Sequence, residues 1–577
     1  MLKIAYGEAS FDNLRRDGSI YVDKTHFIPI VERNKKFFFI RPRRMGKSLW
    51  ISVLQAYYDL AKKEQFDILF SGLYIQKNPT ELKNSYLVFK LDFSGINTKT
   101  EESLRLDFDY RVRRTAEDFL YVYRNIYGDA YKRLETEDKN FTAANVVNFL
   151  KGESIRVKER IYVFIDEYDH FANKLAAEGR ESFIRTIMAE AGFVREFYEQ
   201  LKIASGEGVV ERFFITGVSP IMLDELSSGF NITSDMSTDS RFNEMIGFTR
   251  EEVRGLLDKV EIDKFKQKSK EEVLNDLIVL YDGYKFSEGV KERLFNSDMV
   301  LYFLERFSAT GYPQDLLDEN VKTDYNKLRG LIIGASGKEK LQTILEEINL
   351  KNTLELSLVK RFNFEQRFSD NELKSLLFYL GLLTFGDGFN QFVIPNQVIR
   401  TLYWEYLRRF LEESQSIEFE LGPLNKALRE MAEVGKTEAL KELAIEFFSN
   451  KLSNYDYSGL SEKHVKFLFV SYFTLSKIYN IISERELPGR KRIDLLYEAH
   501  PAYYEYVKYN FIIEFKYIRK TDSKKEIEDK RKEVISQAKE NYEIYKANFK
   551  LFGRELRSIA MLVFHSREVE IIEVAGF

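Results

Sequence analysis

A short stretch near the N-terminus combines glycine, lysine and serine in a spacing suited to phosphate. Residues 41–48 read Arg-Pro-Arg-Arg-Met-Gly-Lys-Ser and match the end of the G-x-x-x-x-G-K-[ST] loop, although Arg41 stands at its first glycine. Gly46 would let backbone N–H groups approach phosphate oxygens, Lys47 would reach the β- and γ-phosphates, and Ser48 would ligate Mg²⁺. The residues expected to bind nucleotide are Arg44, Met45, Gly46, Lys47 and Ser48. The alternative is a charged turn before a helix.

A second motif places two acids after an apolar run. Residues 161–165 are followed by Asp166 and Glu167. In phosphoryl transfer, an aspartate at a strand end holds the Mg²⁺ shell and a glutamate can orient the attacking water. The pair indicates hydrolysis as well as binding; the alternative is a helix start that simply favours acids. Thr216 or Ser219, after another apolar run, could sense the γ-phosphate, and a turn-capping role is equally open.

Three ionisable residues interrupt apolar runs near the C-terminus: Asp494, Glu514 and Lys516. Such groups are costly to bury in strands without partners. Glu514 and Lys516 are two residues apart, which places them on one face of a strand. Two carboxylates can hold a divalent cation while a lysine orients or activates water, and this is a phosphodiesterase arrangement. The alternative is an edge strand with alternating charges.

Other polar residues flank these three. Gln537 lies beside the apolar stripe of the following helix and could face the site. Glu462 could add a metal ligand, although acids also favour a first helical turn, and Glu484 is as readily a solvated loop residue. The charged run 516–532 is better explained as a solvated helix face than as a phosphate-binding strip. The pairs expected to stabilise that face are Glu526–Lys530 and Glu528–Lys532.

The elements that must hold the N-terminal motifs alternate between strands and helices. Apolar runs predict strands, and the segments between them have helical patterns. This alternation implies an α/β fold with a parallel sheet covered on both faces. The predicted strands are 36–40, 86–93, 161–165 and 213–215, and the predicted helical stretches include 101–137 and 183–202.

The pattern changes near residue 250 and again near residue 450. The middle segments are amphipathic and helical, with a capping-box signature at Thr249 and Glu252 and a short strand pair expected near 382–394. Further on, the predicted strands are 493–497, 506–515 and 560–565, with a charged helix at about 522–547. We therefore predict an α/β domain over 1–250, a mainly helical region over 251–450 and a second α/β domain over 451–577.

Composition limits the chemistry. Among 577 residues, 87 Lys and Arg nearly balance 91 Asp and Glu, which rules out a globally basic nucleic-acid coat but not a local basic groove. There is no cysteine, so thiol catalysis, disulfides and zinc fingers are excluded, and carboxylates would have to bind any metal, which suits Mg²⁺ or Mn²⁺. The apolar run 375–385 is too short to span a membrane, and no signal peptide is evident. We expect a cytoplasmic protein without membrane association.

Taken together, these residues resemble a family of bacterial and archaeal proteins that join an AAA-ATPase-like domain to a PD-(D/E)XK nuclease-superfamily domain. The resemblance covers most of the chain. Its N-terminal motifs are Tyr21-Val-Asp-Lys-Thr25, residues 41–48, Ile165-Asp-Glu-Tyr-Asp169, Gly247-Phe-Thr249, Tyr281-Asp-Gly-Tyr284 and Ile394-Pro-Asn396. Its C-terminal motifs are Gly489-Arg490, Asp494, Glu514-Phe-Lys516 and Gln537.

The resemblance implies a P-loop NTPase sheet, a restriction-endonuclease-like C-terminal domain, ATP and Mg²⁺ (or Mn²⁺) as cofactors, and a nucleic-acid substrate, most simply DNA. Such families are often associated with mobile elements or defence. The first hypothesis is an ATP-regulated nuclease. The second is a nucleotide-gated interaction or nucleic-acid-binding protein without cleavage, and the third is an ATPase with a structural C-terminus. A homo-oligomer and an unidentified protein trigger both remain open.

Overall fold

The structure, a computed structural model, describes residues 3–137, 141–178, 181, 192–221, 232–265, 268–319, 321–323, 329–330, 332–333, 337–351, 353–362, 368–415, 420–448, 469–566 and 568–577. Three sheets organise this part of the chain. Their strands are β1 Lys36–Ile40, β2 Leu87–Asp92, β3 Ile161–Asp166, β4 Val210–Gly217, β5 Ser234–Asp235, β6 Thr353–Glu355, β7 Thr384–Phe385, β8 Gln391–Val393, β9 Tyr479–Leu487, β10 Lys491–Ala499, β11 Tyr509–Ile518, β12 Glu555–Phe564 and β13 Val569–Ala575.

The N-terminal sheet has the order β2-β3-β4-β1-β5, and every pairing in it is parallel. Its central strands are mostly apolar, and β3 is buried along its whole length. Parallel strands need crossover segments that cover both faces, which confirms the predicted α/β architecture. The longer helices of this region are α1 Lys47–Tyr58, α2 Glu101–Val122, α3 Ala143–Val157, α4 His170–Glu178 and α5 Gly192–Gly206.

Short helices complete the N-terminal region. They are Phe11–Arg16, Ile28–Val31, Phe66–Leu69, Tyr74–Lys77, Arg124–Tyr127 and Ala130–Glu135. The predicted helical stretch 101–137 is helical but consists of three helices, because α2 ends at Val122 and Gly128 adopts a positive φ of 60° before the last short helix. The predicted helix 183–202 is described only from Gly192, as part of α5.

The middle region is mainly helical, as predicted. Its helices are α6 Arg250–Leu257, α7 Lys270–Tyr281, α8 Ser297–Thr310, α9 Lys338–Lys351, α10 Asp370–Tyr379, α11 Gln397–Gln415, α12 Leu421–Val434 and α13 Glu438–Glu446. The expected capping box forms, since Thr249 and Glu252 each accept a hydrogen bond from the other's backbone N–H. The expected strand pair also forms, and β6 joins it in an antiparallel sheet of order β6-β8-β7.

The C-terminal sheet has the order β13-β12-β11-β10-β9. Only β11 and β12 pair in parallel, and the other neighbours are antiparallel. One face packs on α12 and α13, and the other on the long helix α14, Lys524–Asn548. Strands β9 and β13 were not predicted, because Ser-Glu-Arg-Glu in β9 and the two glutamates Glu570 and Glu573 in β13 interrupt the apolar pattern.

None of the helices in the described residues is both long and apolar enough to cross a membrane.

Candidate functional sites

The phosphate-loop motif forms the connection between β1 and α1. Gly46 has φ +96°, a left-handed conformation that glycine adopts without strain. The next residue, Lys47, begins α1 and is 6% exposed. Its Nζ donates to the carbonyl oxygens of Arg41 (3.1 Å) and Pro42 (2.9 Å). The side chain of Lys47, which is expected to bind phosphate, is therefore hydrogen-bonded to the backbone of its own loop.

Two carboxylates lie at the same edge of the sheet. Asp166 ends β3, is buried and is hydrogen-bonded with Ser48. Burial raises the pKa of Asp166, and the hydrogen bond with Ser48 opposes that rise. Burial lowers the pKa of Lys47, against the attraction of Glu167 and Asp166. The predicted Mg²⁺ ligands Ser48 and Asp166 are thus together, beside the lysine.

Glu167 adopts a left-handed φ of 51°, which is uncommon for a residue other than glycine. Its carboxylate lies 3.4 Å from Nδ1 of His170. Burial works against ionisation, yet the hydrogen bond with His170 and the charges of Lys47 and Arg43 lower the pKa of Glu167 to about 2. Glu167 is therefore ionised at neutral pH and held beside the loop.

The two candidate γ-phosphate sensors already have partners. Thr216 on β4 donates its hydroxyl to the carbonyl of Phe39 at 2.6 Å, between adjacent strands. The hydroxyl of Ser219 lies 2.8 Å from a carboxylate oxygen of Asp169 and 2.7 Å from the side-chain oxygen of Asn173. A nucleotide would have to replace the bond of Thr216, so its sensing role stays a prediction.

Arg41 has a role that the motif did not reveal. Its guanidinium is buried between the rings of Phe39 and Phe286, 4.0 and 4.2 Å from their centroids. It donates to the carbonyls of Ser237 (2.5 Å) and Phe242 (3.0 Å). Burial lowers the pKa of Arg41 to about 9. Arg41 therefore anchors the loop to the core and is not placed to bind phosphate.

The start of α8 holds the loop from the other side. The side chain of Asn296 donates to the carbonyl oxygen of Arg43 at 3.3 Å. The backbone N–H of Asp298 donates to the carbonyl oxygen of Arg44, also at 3.3 Å. Asp298 also pairs with the Arg44 guanidinium at 3.2 Å. Sequence reasoning missed this contact, because more than 250 residues separate its two sides and Asn-Ser-Asp is an ordinary helix start.

The remaining family motifs pack around the same loop. Gly247 donates its N–H to the carbonyl of Met45 at 3.2 Å, and a Cβ there would lie 2.9 Å from the Met45 methyl. A Cβ on Gly283 would lie 2.0 Å from the carbonyl oxygen of Pro395. Close approach therefore requires glycine at both positions, and at Gly247 the approach is to the loop itself.

The C-terminal constellation is built around Glu514, which is 0% exposed on β11. Its carboxylate accepts hydrogen bonds from Gln537 at 2.9 Å and from Asn541 at 2.7 Å. Because β11 is the central strand of five, the edge-strand interpretation is wrong. Two side-chain amides from α14 therefore orient a carboxylate inside the domain.

Asp494 lies beside it on β10. The antiparallel register pairs Leu495 with Ile513, so Asp494 and Glu514 are the next cross-strand neighbours. The Asp494 carboxylate accepts the backbone N–H of Phe515 at 2.9 Å. The two predicted metal ligands thus lie side by side on adjacent strands.

Lys516 makes an ion pair with Glu533 at 3.0 Å. Glu533, Gln537 and Asn541 are four residues apart along α14, so they form one polar stripe over β11. A surface depression of about 500 Å³ is lined by Lys491, Arg492, Glu533, Ser536, Gln537, Glu540 and Asn541. Sequence reasoning missed Asn541, although its position four residues after Gln537 places it on the same face of α14.

The other candidate acids differ in outcome. Glu462 lies outside the described residues. Glu484 lies on β9, not in a loop, with φ 58°, and the pairs Arg485–Ile493 and Ser483–Leu495 place it across from Asp494. Within the described ranges, no group of three or more acidic or histidine side chains could hold a metal ion.

The charged run before and within α14 is largely paired. Lys530 pairs with Asp522 at 2.5 Å and not with Glu526, which caps the helix start, so that predicted pair is wrong. Lys532 and Glu528 approach to 3.8 Å, as predicted. These pairs agree with a helix face that is solvated and internally neutralised.

Comparisons with known proteins support the two parts separately. Residues 5–227 match a family model described as a predicted AAA-ATPase. Residues 460–574 match the PD-(D/E)XK nuclease superfamily. The chain therefore joins an AAA-ATPase-like domain to a PD-(D/E)XK nuclease-superfamily domain.

Among individual proteins, the chain is 27% identical over 332 residues to an uncharacterized protein in the vnfD 5′ region of Azotobacter chroococcum mcd 1. The match covers 55% of each protein, so the chain spans about half the length of this curated relative. The solved Walker-type ATPase PABY2304 of Pyrococcus abyssi aligns over 66% of this chain and 94% of its own, with 13% identity and a TM-score of 0.37. A score this low does not establish a shared fold.

Proposed function

We propose that this protein binds and hydrolyses ATP at the loop Arg44–Ser48 and cuts phosphodiester bonds in DNA at Asp494, Glu514 and Lys516. The observation that carries the proposal is that each sheet brings its predicted groups together. Lys47, Ser48, Asp166 and Glu167 meet at the edge of one sheet. Asp494, Glu514 and Gln537 meet on the other.

At the loop, backbone N–H groups around Gly46 would receive the phosphates, and Lys47 would exchange its two carbonyl partners for phosphate oxygens. Ser48 and Asp166 suit Mg²⁺, which would neutralise phosphate charge when bound. Glu167, ionised and held by His170, would orient the attacking water. Arg44 and Met45 would shape the loop around the phosphates.

A small cavity of about 100 Å³ adjoins Met45 and Gly46. Its walls are mostly apolar and include Tyr21, Leu49, Trp50 and Phe248. We assign this cavity to the base of the nucleotide, since flat apolar surfaces suit an aromatic ring.

At the second site, Asp494 and Glu514 suit Mg²⁺ or Mn²⁺, which would polarise the scissile phosphate when bound. Lys516 would leave Glu533 to orient or activate the attacking water. Gln537 and Asn541 hold Glu514 in place, and Glu462 is proposed as a further ligand from the matched segment 460–574. We propose a cytoplasmic location, where DNA and ATP are both available, and the resemblance suggests defence or mobile elements as the setting.

The test is cleavage of linear, circular and branched DNA with Mg²⁺ or Mn²⁺, with and without ATP. Wild-type protein should cut at least one substrate, and Asp494→Ala should not. Glu555→Ala, an exposed acid on β12 of the same sheet, is the matched control and should cut normally. Cleavage by Asp494→Ala at the wild-type rate would remove the proposed chemistry.

One observation favours the second candidate, a nucleotide-gated DNA-binding protein without cleavage. Both oxygens of Glu514 already accept amide hydrogen bonds, and Lys516 is neutralised by Glu533. Under this candidate, DNA binds with the same affinity with and without metal, and no product forms. The two candidates therefore separate in one assay that reports both binding and cleavage.

A further inference from the structure

A large cavity lies where the helical middle region meets the C-terminal domain. Its volume is about 670 Å³, within the range that encloses a small organic molecule. Its walls come from α7 and α11 on one side and from β9, β10 and the end of α14 on the other. Direct contacts close its rim: Gln397 donates to the carbonyl of Ile481 at 2.7 Å, and Lys550 pairs with Glu272 at 2.7 Å.

His500 presents an unused hydrogen-bond donor to this cavity. The residue is 2% exposed. Its Nδ1 accepts the backbone N–H of Ala502 at 3.1 Å, which leaves the ring proton of the neutral imidazole on Nε2. Burial lowers the pKa of His500 to about 4, so the ring is neutral at physiological pH. Its Nε2 has no hydrogen-bond partner within the described part of the chain.

Arg485 repeats this pattern elsewhere in the cavity wall. Its Nε is buried and has no hydrogen-bond partner among the described residues. Its guanidinium lies 5.4 Å from the centroid of the Phe549 ring. A buried donor without an acceptor is unfavourable unless a ligand supplies one.

Four of the five acids in the cavity wall pair with a cation, and the fifth, Glu498, accepts a hydrogen bond from Tyr545 and keeps its charge. Each of them contacts a cation or a hydroxyl. The pairs are Glu272–Lys550, Asp276–Lys268, Asp315–Lys477, Glu405–Arg409 and Glu498–Tyr545. The wall holds six cationic and five acidic side chains, so it offers a ligand hydrogen-bond donors and one net positive charge. A polyamine or a hydrocarbon would leave those donors unsatisfied.

We propose that this cavity binds a small organic oxyanion, with its charged oxygens toward Arg485 and a further acceptor atom toward His500. An organic phosphate and an organic carboxylate share this chemistry, since arginine binds both through paired N–H donors. Because both domains line the cavity, such a ligand would bridge the helical region and the nuclease-superfamily domain.

Calorimetric titration of the Lys47→Ala protein with adenosine monophosphate and, separately, citrate tests this site. The Lys47→Ala background removes the phosphate loop as a competing site, so a failure here is distinct from a failure of the proposed ATPase. We expect one-to-one binding of at least one probe. The probe that binds identifies the ligand as a phosphate or a carboxylate.

Two further substitutions in that background locate the binding. Arg485→Gln and His500→Phe should each weaken binding at least tenfold, and a loss in either supports the site if only one variant folds. Arg195→Gln, an exposed arginine on α5, is the matched control and should bind normally. No saturable binding of either probe, or unchanged affinity in both cavity variants, overturns the proposal.

Discussion

Lys47 and Glu514 are both buried ionisable side chains at the centre of a proposed site, but their surroundings satisfy them differently. Lys47 donates to carbonyl oxygens of its own loop, within six residues in the chain. Glu514 accepts from two amide side chains on a helix that begins ten residues later. The partners of Lys47 are therefore backbone groups, and those of Glu514 are side chains.

Because of this difference, we expect the two sites to respond differently to substitutions. The loop depends on conformation, such as the left-handed Gly46 and the anchor Arg41, so a change of side chain far from phosphate can still disturb it. The C-terminal site depends on which side chains face β11 from α14. Single substitutions there should remove one contact at a time.

The largest effect is expected from Lys47→Ala. Its ammonium is the charged group of the loop that would meet the phosphates, so ATP binding and turnover should fall below detection. Lys77→Ala, an exposed lysine of the same domain, is the control. The measurement is the affinity of each protein for a fluorescent ATP analogue. If Lys47→Ala binds the analogue as tightly as the wild type, Lys47 does not bind the phosphates.

Glu167→Gln should keep ATP binding but lower turnover by roughly 10³-fold, because the amide keeps the shape and loses the charge that orients water. Release of phosphate under single-turnover conditions measures this. Glu102→Gln, an exposed acid on α2, should turn over ATP normally. Native turnover in Glu167→Gln would make Glu167 a structural residue.

His500 sharpens the contrast within the C-terminal domain, since it is a buried group left unsatisfied. Burial lowers the pKa of His500 to about 4 in the folded protein, from about 6.5 for an unperturbed histidine. The unfolded chain therefore binds the proton first, and stability is lost as the pH falls from 6.5 toward 4. The loss between about pH 7.5 and pH 5 should be about 2 kcal/mol.

His500→Phe should lack this contribution. Urea unfolding of both proteins at the two pH values measures the difference, with the C-terminal transition followed separately. Equal losses of stability in wild type and His500→Phe would show that the ring is not held neutral. The charges facing His500 are Asp315, Lys268 and Lys477, and they are the same in both proteins.

The smallest effect is expected from Asn541→Ala. Gln537 would still hold one oxygen of Glu514, so metal-dependent cleavage should fall only about tenfold, consistent with the loss of one charge-assisted hydrogen bond. Asn548→Ala, seven residues along the same helix, should cleave normally. If Asn541→Ala abolished cleavage as completely as Asp494→Ala, the hydrogen bond from Asn541 would be essential and not one of two redundant contacts.

Much of this fold followed from local pattern. Lys36–Ile40 and the long helix α14 were predicted nearly as they are, because apolar runs and helical spacing are local signals. Strand β9 was missed because its charged residues interrupt the alternation. For the same reason the sequence left Glu484 open between a site acid and a solvated loop residue, whereas the structure places it on β9.

The sites were predictable where a motif is contiguous and not where partners come from afar. The motif in residues 41–48 predicted the loop. It did not show that Arg41 packs against Phe286 or that Asn296 donates a hydrogen bond to Arg43. Those contacts depend on tertiary packing. Asn541 could have been predicted from the sequence, since residues four apart lie on the same face of a helix and Gln537 was already a candidate.

The central claim is that one chain carries two chemically separate sites. The most direct measurement is metal-dependent DNA cleavage by purified Glu514→Ala protein, with ATP turnover recorded in the same sample. The account predicts that cleavage is lost while ATP turnover stays at the wild-type rate, because Glu514 lies in a different sheet from Lys47. Cleavage at the wild-type rate in Glu514→Ala would contradict it.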